Sequence, residues 1–343
     1  MRAPVTPKSD TCRRPTAPLF ATATASLFAI GAAACAGQAP PIANGSGRAG
    51  AVSTITPARA LCTLDTGQAV DPLRRERSYP TGYWMALLLR GYRDPGEVAR
   101  PARDCQDTLA RLEWDGCPSD PQPGKLPERL LNPDDLVVTR LDDRRRLVWA
   151  MTDHLSDGEA EGPVAIAELE NHGINVLAIG ILRAYSQNVS LRLERLGSNS
   201  VLVADAEYCE PAHAKETCQR AIRLVPLIGD RFTPRPLLDA AGACIGRPFI
   251  PVRGAGTADD GRHTRYRIEN LITFADDSIL FREQLAIDEE HHRGDPASAS
   301  YVTRVQADRQ VSLRDGNLVA TGPSLLSRWL TRQEWDRQRP PRP

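Results

Sequence analysis

The feature that most narrows the fold is a period-two alternation between Arg262 and Thr321. Tyr266, Ile268, Ile272 and Phe274 alternate with Arg265, Arg267, Glu269 and Thr273. Successive side chains of a strand point to opposite faces, so such a run buries one face and wets the other. Asp276, Asp277 and Ser278 interrupt it with turn residues, and Ile279, Phe281, Leu285 and Ile287 take it up again. Tyr301 to Leu313 and Leu318 to Thr321 flank Asp315-Gly316, a pair that tolerates positive φ and suits a tight hairpin. The pattern predicts an antiparallel meander.

The same punctuation extends upstream. Leu136 to Leu141 and Arg146 to Met151 flank Asp142-Asp143, as the arms of a hairpin would. Val164 to Leu169, Ile174 to Tyr185, Val189 to Leu196 and Val201 to Tyr208 follow as strands. Ser156 to Pro163 and Gly254 to Gly261 read as loops. Phe232 to Leu238 and Ile245 to Val252 read as shorter strands whose prolines suit edges or bulges. Strands at short, regular spacing, with no helical period between them, predict an all-β fold over residues 134–322, a sandwich or a barrel. No repeat of fixed period marks a propeller. Residues 60–133 read as a small, irregular, disulfide-held cap, in which Tyr83 to Arg93 fits a buried strand or a short helix. Residues 323–343 read as a short helix and a basic, proline-rich tail. Leu325, Leu326, Trp329 and Leu330 form one apolar stripe after the Pro323-Ser324 start signal.

The N-terminus reads as an address. Arg2, Lys8, Arg13 and Arg14 precede a small, apolar stretch from Pro18 to Ala34, and Cys35 follows. A charged start, an apolar run and small residues at the cut describe an export signal. Ala32-Ala33-Ala34-Cys35 resembles the lipobox of bacterial lipoproteins. The resemblance, confined to this segment, implies that residues 1–34 are a signal peptide and that Cys35 is lipidated. With Ala36 next, it also implies an outer-membrane destination facing the periplasm. Cleavage at an Ala-x-Ala site near Ala34 or Ala36 would instead release a soluble secreted protein. Residues 35–59 then form the lipid anchor and a flexible tether rich in Gly, Ala, Pro and Ser.

Cysteine usage agrees with export. Of eight cysteines, Cys12 and Cys35 belong to the leader and its end. Cys62, Cys105, Cys117, Cys209, Cys218 and Cys244 remain, an even set that an oxidising compartment would pair. Cys209 and Cys218 end and begin strand-like runs and fit a local staple. Cys105 and Cys117 bracket a turn at Asp115-Gly116 and fit a second. Three of the six precede residue 120 and three follow residue 200, so full pairing needs at least one bond between the two groups. Cys62 with Cys244 is the expected one. No C-x-x-C exists, so zinc ligation is set aside, and nothing calls for a metal or a cofactor.

Function is written less clearly. A net charge of +0 argues against nucleic acid as a partner. The motifs G-x-S-x-G, S-x-x-K and H-E-x-x-H, a phosphate loop and an EF-hand loop are all absent. Three polar clusters remain: Asp153-His154 with Asp157 and Glu159, Asp259-Asp260-Gly261-Arg262-His263, and Asp288-Glu289-Glu290-His291-His292. Each reads as a polar loop rather than a catalytic site. The expectation is an envelope protein acting as a non-catalytic binding or structural module. Its partners would be the membrane, through the lipidated N-terminus, and an envelope protein, a polymer or an apolar ligand. The competing expectation is an envelope hydrolase or metal-dependent enzyme with an unrecognised site. That would draw His154, His263 or His291 and several carboxylates into one cleft.

Overall fold

Hairpin follows hairpin through most of the chain. A computed structural model describes residues 60–65, 79–112, 114–209, 218–257, 264–289 and 301–338. Residues 1–59, where the signal peptide, the lipidated Cys35 and the tether are expected, lie outside the described residues, as do 210–217, Asp259 to His263, Glu290 to His292 and the last five residues. The described elements belong to the unit that starts at Arg48.

The cap contributes β1 (Cys62–Asp65) and α1 (Thr81–Leu88). A first group of strands follows: β2 (Leu136–Arg140), β3 (Arg145–Ala150), β4 (Asp153–His154), β5 (Glu159–Leu169) and β6 (Gly173–Tyr185). Next come β7 (Gln187–Leu196), β8 (Asn199–Tyr208) and β9 (Gln219–Ile228). Three short strands follow, β10 (Arg231–Phe232), β11 (Leu237–Leu238) and β12 (Cys244–Gly246). The chain finishes with β13 (Phe249–Thr257), β14 (Arg265–Phe274), β15 (Ser278–Glu289), β16 (Tyr301–Arg314), β17 (Asn317–Ala320) and α2 (Leu325–Gln338).

Pairing is mainly antiparallel. β2, β3, β5 and β6 lie side by side. On the far edge of β6, β1 joins antiparallel and β10 joins parallel. A second series runs β7–β8–β9–β13–β14–β15–β16–β17 without a parallel step. β9 binds both β10 and β13 on one edge and so links the two series. β11 joins β17 in parallel, which makes the whole sheet mixed.

The three largest apolar cores among the described residues follow from the alternation. Trp84, Met85, Leu87 and Leu88 of α1 cover one face of β3, β5 and β6, against Val148, Ala165 and Ile174. The opposite face, with Trp149, Val164 and Ile166, packs on Leu202, Ala204 and Val225. The intervening residues Val201, Val203, Ile222 and Leu224 turn the other way and meet Ile279, Phe281, Val311 and Leu318. The hairpin of β8 and β9 therefore serves two cores at once. The all-β expectation holds, as a large mixed sheet whose β8–β9 hairpin is packed on both faces.

Local signals also hold. Asp315 and Gly316 take φ of 49° and 76° at the β16–β17 turn. Asp142 accepts amide hydrogens from Arg144 and Arg145, both at 2.8 Å, and so closes the β2–β3 turn. Ser324 Oγ accepts from the Ser327 amide at 3.1 Å, and Glu283 accepts from the Leu325 amide at 2.6 Å. Two acceptors thus satisfy first-turn N–H groups of α2. Neither described helix is long and apolar enough to cross a membrane.

Several expectations need correction. Tyr83 to Arg93 splits: Thr81–Leu88 is helical, and beyond it Leu89 and Arg93 make isolated bridges, to Asp104 and Glu97. The helix packs on an apolar sheet surface, and this tertiary packing settles what the short run left open. Ser156 to Pro163 is not all loop, because Glu159–Pro163 pairs with Tyr185–Ile181. Gly254 to Thr257 is strand as well, paired with Ile268 to Arg265. Phe232 to Leu238 shrinks to the ends of two short strands.

The cysteines pair as Cys62–Cys105, Cys117–Cys244 and Cys209–Cys218. The Cys209–Cys218 staple is as expected, and a bond between the two groups exists. Its members are different, however. Pairing of β1 with β6 places Cys62 opposite Val176, under the cap beside Cys105, and so removes it from Cys244. Cys117 is then the cysteine that reaches β12, and the local Cys105–Cys117 staple does not form.

Candidate functional site

Charged side chains at inward strand positions define the site. Glu159 and Glu161 of β5 sit two apart and share a face, opposite Tyr185 and Arg183 of β6. The cap segment lies over them and brings Arg100, Arg111, Trp114, Asp115 and Lys125. Arg223 of β9 and Arg247, next to β12, complete the layer.

Almost every charge in this layer meets its opposite. Arg183 Nε lies 2.6 Å from Glu159 and its Nη2 lies 3.3 Å from Asp157. Arg247 Nη2 reaches the other Glu159 oxygen at 2.7 Å. Arg223 pairs with Asp115, and each is only 1% exposed. Arg247 lies 3.7 Å from the same aspartate. Arg183 and Arg247 both lie over the Trp114 ring, at 5.4 and 5.5 Å from its centroid, where the ring's negative face adds attraction. Trp114 is fixed by its indole N–H, which donates to the Cys117 carbonyl at 2.8 Å. The Cys117–Cys244 disulfide therefore sits beside the ion pairs and clamps the cap onto β12.

A second patch continues along β4. Asp153 takes Arg100 at 3.0 Å and Lys125 at 2.7 Å, and Glu161 takes Arg111 at 3.7 Å. Burial, and then the neighbouring Asp153 carboxylate, push the Glu161 carboxyl up to about 7. Next to it, His154 Nε2 lies 2.9 Å from Asp135, and Arg129 grips the same carboxylate with both terminal nitrogens. Burial works to raise Asp135, but the bonds from His154, Arg129 and the Asn132 amide outweigh it and hold it low.

The raised Glu161 has a measurable consequence. Folded protein binds a proton that unfolded chain has released between pH 4.5, the ordinary value, and about 7. Stability therefore falls as pH rises through that window, by up to about 3 kcal/mol. Glu161→Gln removes this slope and makes the protein more stable than wild type above pH 7. Denaturant unfolding of both proteins at pH 5 and pH 8 checks it; parallel losses would refute the assignment.

Beside the ion layer lies a shallow groove of about 60 Å³. Tyr185, Phe249, Tyr266 and Leu326 form its apolar wall, and Arg220 and Arg253 stand at its edge. Tyr185 stacks on Tyr208 at 5.7 Å, meets Phe249 edge-on at 5.1 Å, and donates its hydroxyl to Gln219 at 2.9 Å. Two glycines make room for this aromatic set. A Cβ on Gly158, which has φ of +82°, would overlap the Tyr208 ring, and one on Gly256 would press on the Tyr266 hydroxyl. Arg220 is held by Asp205 through two bonds of 2.8 Å, and Arg253 lies 3.4 Å from Glu207. The groove is thus apolar and nearly neutral. It has room for a few waters or one side chain, far less than the roughly 300–1,000 Å³ of a small-molecule pocket.

The expected clusters fare differently. Asp153, His154, Asp157 and Glu159 do not form a polar loop. They are buried or half-buried, and each has a charged partner in the layer. Asp288 is half-buried at the end of β15, paired in register with Arg265. The remaining histidines of the two other clusters, His263, His291 and His292, lie outside the described residues. Among the described residues, no group of three His, Cys, Asp or Glu side chains is placed to hold a metal ion.

The sequence reading passed over Trp114, Arg183, Arg223 and Arg247, and took Asp115 only as a turn residue. One signal was available. Arg223 stands between Ala221 and Val225, and Arg183 stands two residues from Ile181, so both carry charge in an otherwise apolar register. Comparison with known proteins adds no name to this arrangement: no family model, curated protein or solved structure matches the chain.

Proposed function

We propose that the protein is an exported, lipid-tethered envelope module that acts by binding a partner and not by catalysis. The observation that carries this reading is the set of three disulfides, Cys62–Cys105, Cys117–Cys244 and Cys209–Cys218. Such a framework persists in oxidising compartments, where the leader of residues 1–34 would deliver it. Lipid on Cys35 and the tether of residues 35–59 would then hold the β domain at a bilayer. A binding role draws support from where the charges are spent, since the ion layer is committed to holding cap on sheet. The groove between Tyr185 and Leu326 takes one side chain, which favours a protein partner over a carried lipid.

The leader is the part to test first. Intact mass of protein extracted from membranes should correspond to a chain that begins at Cys35 and carries two or more acyl chains. Cys35→Ser should leave the protein full-length or convert it to a soluble form. A full-length chain in the cytosol with unblocked thiols at Cys117 and Cys244 would overturn export, anchoring and the binding role together.

A further inference from the structure

The outer edge of β16 has the features of a self-complementary surface. β15 pairs with β16 from Tyr301 to Ser312 without a register shift, while β17 covers only Val311 to Arg314 on the other side. Thr321 adds the last contact: its amide donates to the Gln310 carbonyl at 2.9 Å, and its hydroxyl accepts from the Gln310 amide at 3.1 Å. Both backbone groups of Gln310 therefore face away from β15. In an unbroken strand, every second residue does the same. The N–H and C=O groups of Arg304, Gln306 and Asp308 then point outward, and no described strand pairs with them. Thr303 to Gln306 are exposed on both faces.

Such an edge invites another strand, and native edges are usually blunted by a short length, proline, a bulge, a covering element or unpaired charges. Between Thr303 and Arg309 there is no proline and no bulge. The charges are of opposite sign and symmetric about Gln306. We propose that two copies of this chain pair antiparallel through β16, with the two-fold axis at Gln306. Arg304 then faces Asp308 of the second copy and Asp308 faces Arg304, two opposite-charge pairs on the wet face. Val305 faces Ala307, an apolar pair on the other face, and Val305 is 40% exposed in the single chain. Gln306 faces itself. Residues directly opposite one another are the outward-pointing ones, so one register satisfies all three N–H and all three C=O groups. A two-fold interface needs a patch complementary to itself, and this strand provides one. Asp308 keeps its in-chain neighbour Arg282 at 3.1 Å, which extends the charge ladder by one strand.

The test is the association state of the full chain in detergent, by sedimentation velocity, and wild type should be dimeric. Gln306→Pro removes an outward N–H, leaves the bonds to β15 intact, and should give monomer. Arg304→Asp and Asp308→Arg each place like charges opposite one another and should weaken the dimer about tenfold. Mixed together they restore both opposite-charge pairs, so a heterodimer should reappear; misfolded variants would not recombine. Gln306→Cys should cross-link two chains, because directly paired Cα atoms about 5.5 Å apart permit a disulfide. Gln284→Cys, one strand inward, should not. A monomeric wild type, or a dimer indifferent to Arg304→Asp, overturns the proposal.

Discussion

The Cys117→Ser/Cys244→Ser double variant should lose about 5 kcal/mol of stability, the largest loss of any single cross-link in the chain. The bond joins residues 127 apart, and cross-linking removes more freedom from the unfolded chain as the closed loop lengthens. Cys209–Cys218 spans only 9 residues, so its removal should cost about half as much. Two effects add at the longer bond. Without it the cap is free to lift, and water reaches the Asp115–Arg223 pair that the cap covers. Guanidinium unfolding of the two double-serine variants gives the comparison. Equal losses would mean that neither loop length nor the clamped cap matters.

The second large effect concerns that ion pair. Arg223→Met should cost about 3–5 kcal/mol, because it leaves the Asp115 carboxylate buried beside Arg247 alone. Asp115→Leu should cost a similar amount by stranding Arg223. Burial, and then the nearby Arg247, depress the Arg223 guanidinium well below its usual value. The double variant Arg223→Met/Asp115→Leu should recover most of the loss, since a packed apolar pair pays no desolvation penalty. A double-mutant cycle from denaturant unfolding measures the coupling directly. Additive losses would show that the two residues act independently, and the ion layer would lose its role as the cap's attachment.

How much of this was legible depends on where each residue's partners lie. The meander of β14 to β17 was written plainly, because one face of it stays wet and the alternation survives in the residue types. Asp315-Gly316 and Pro323-Ser324 are signals contained within a few residues and were legible for that reason. β5 was only half visible. Its Val164 to Leu169 part is apolar, but Glu159, Gly162 and Pro163 resemble a loop. Gly162 is required by close approach to the Ala150 carbonyl, and Glu159 by Arg183 and Arg247, all of them distant in sequence. The cysteine count demanded a bond between the two halves. Which cysteine makes it depends on β1 docking against β6, a contact between segments more than a hundred residues apart. The ion layer was hidden for the same reason, since Arg183 and Arg223 look like stray charges until the cap supplies Asp115 and Trp114.

The two-sided hairpin of β8 and β9 also limits how the domain can come apart. Val201 and Val203 look toward one core and Leu202 and Ala204 toward the other. Neither half can melt while leaving its neighbour's lining in place, so the strand groups on either side share a single cooperative fate. Sequence drift should be least tolerated along this hairpin, where adjacent residues line two different interiors.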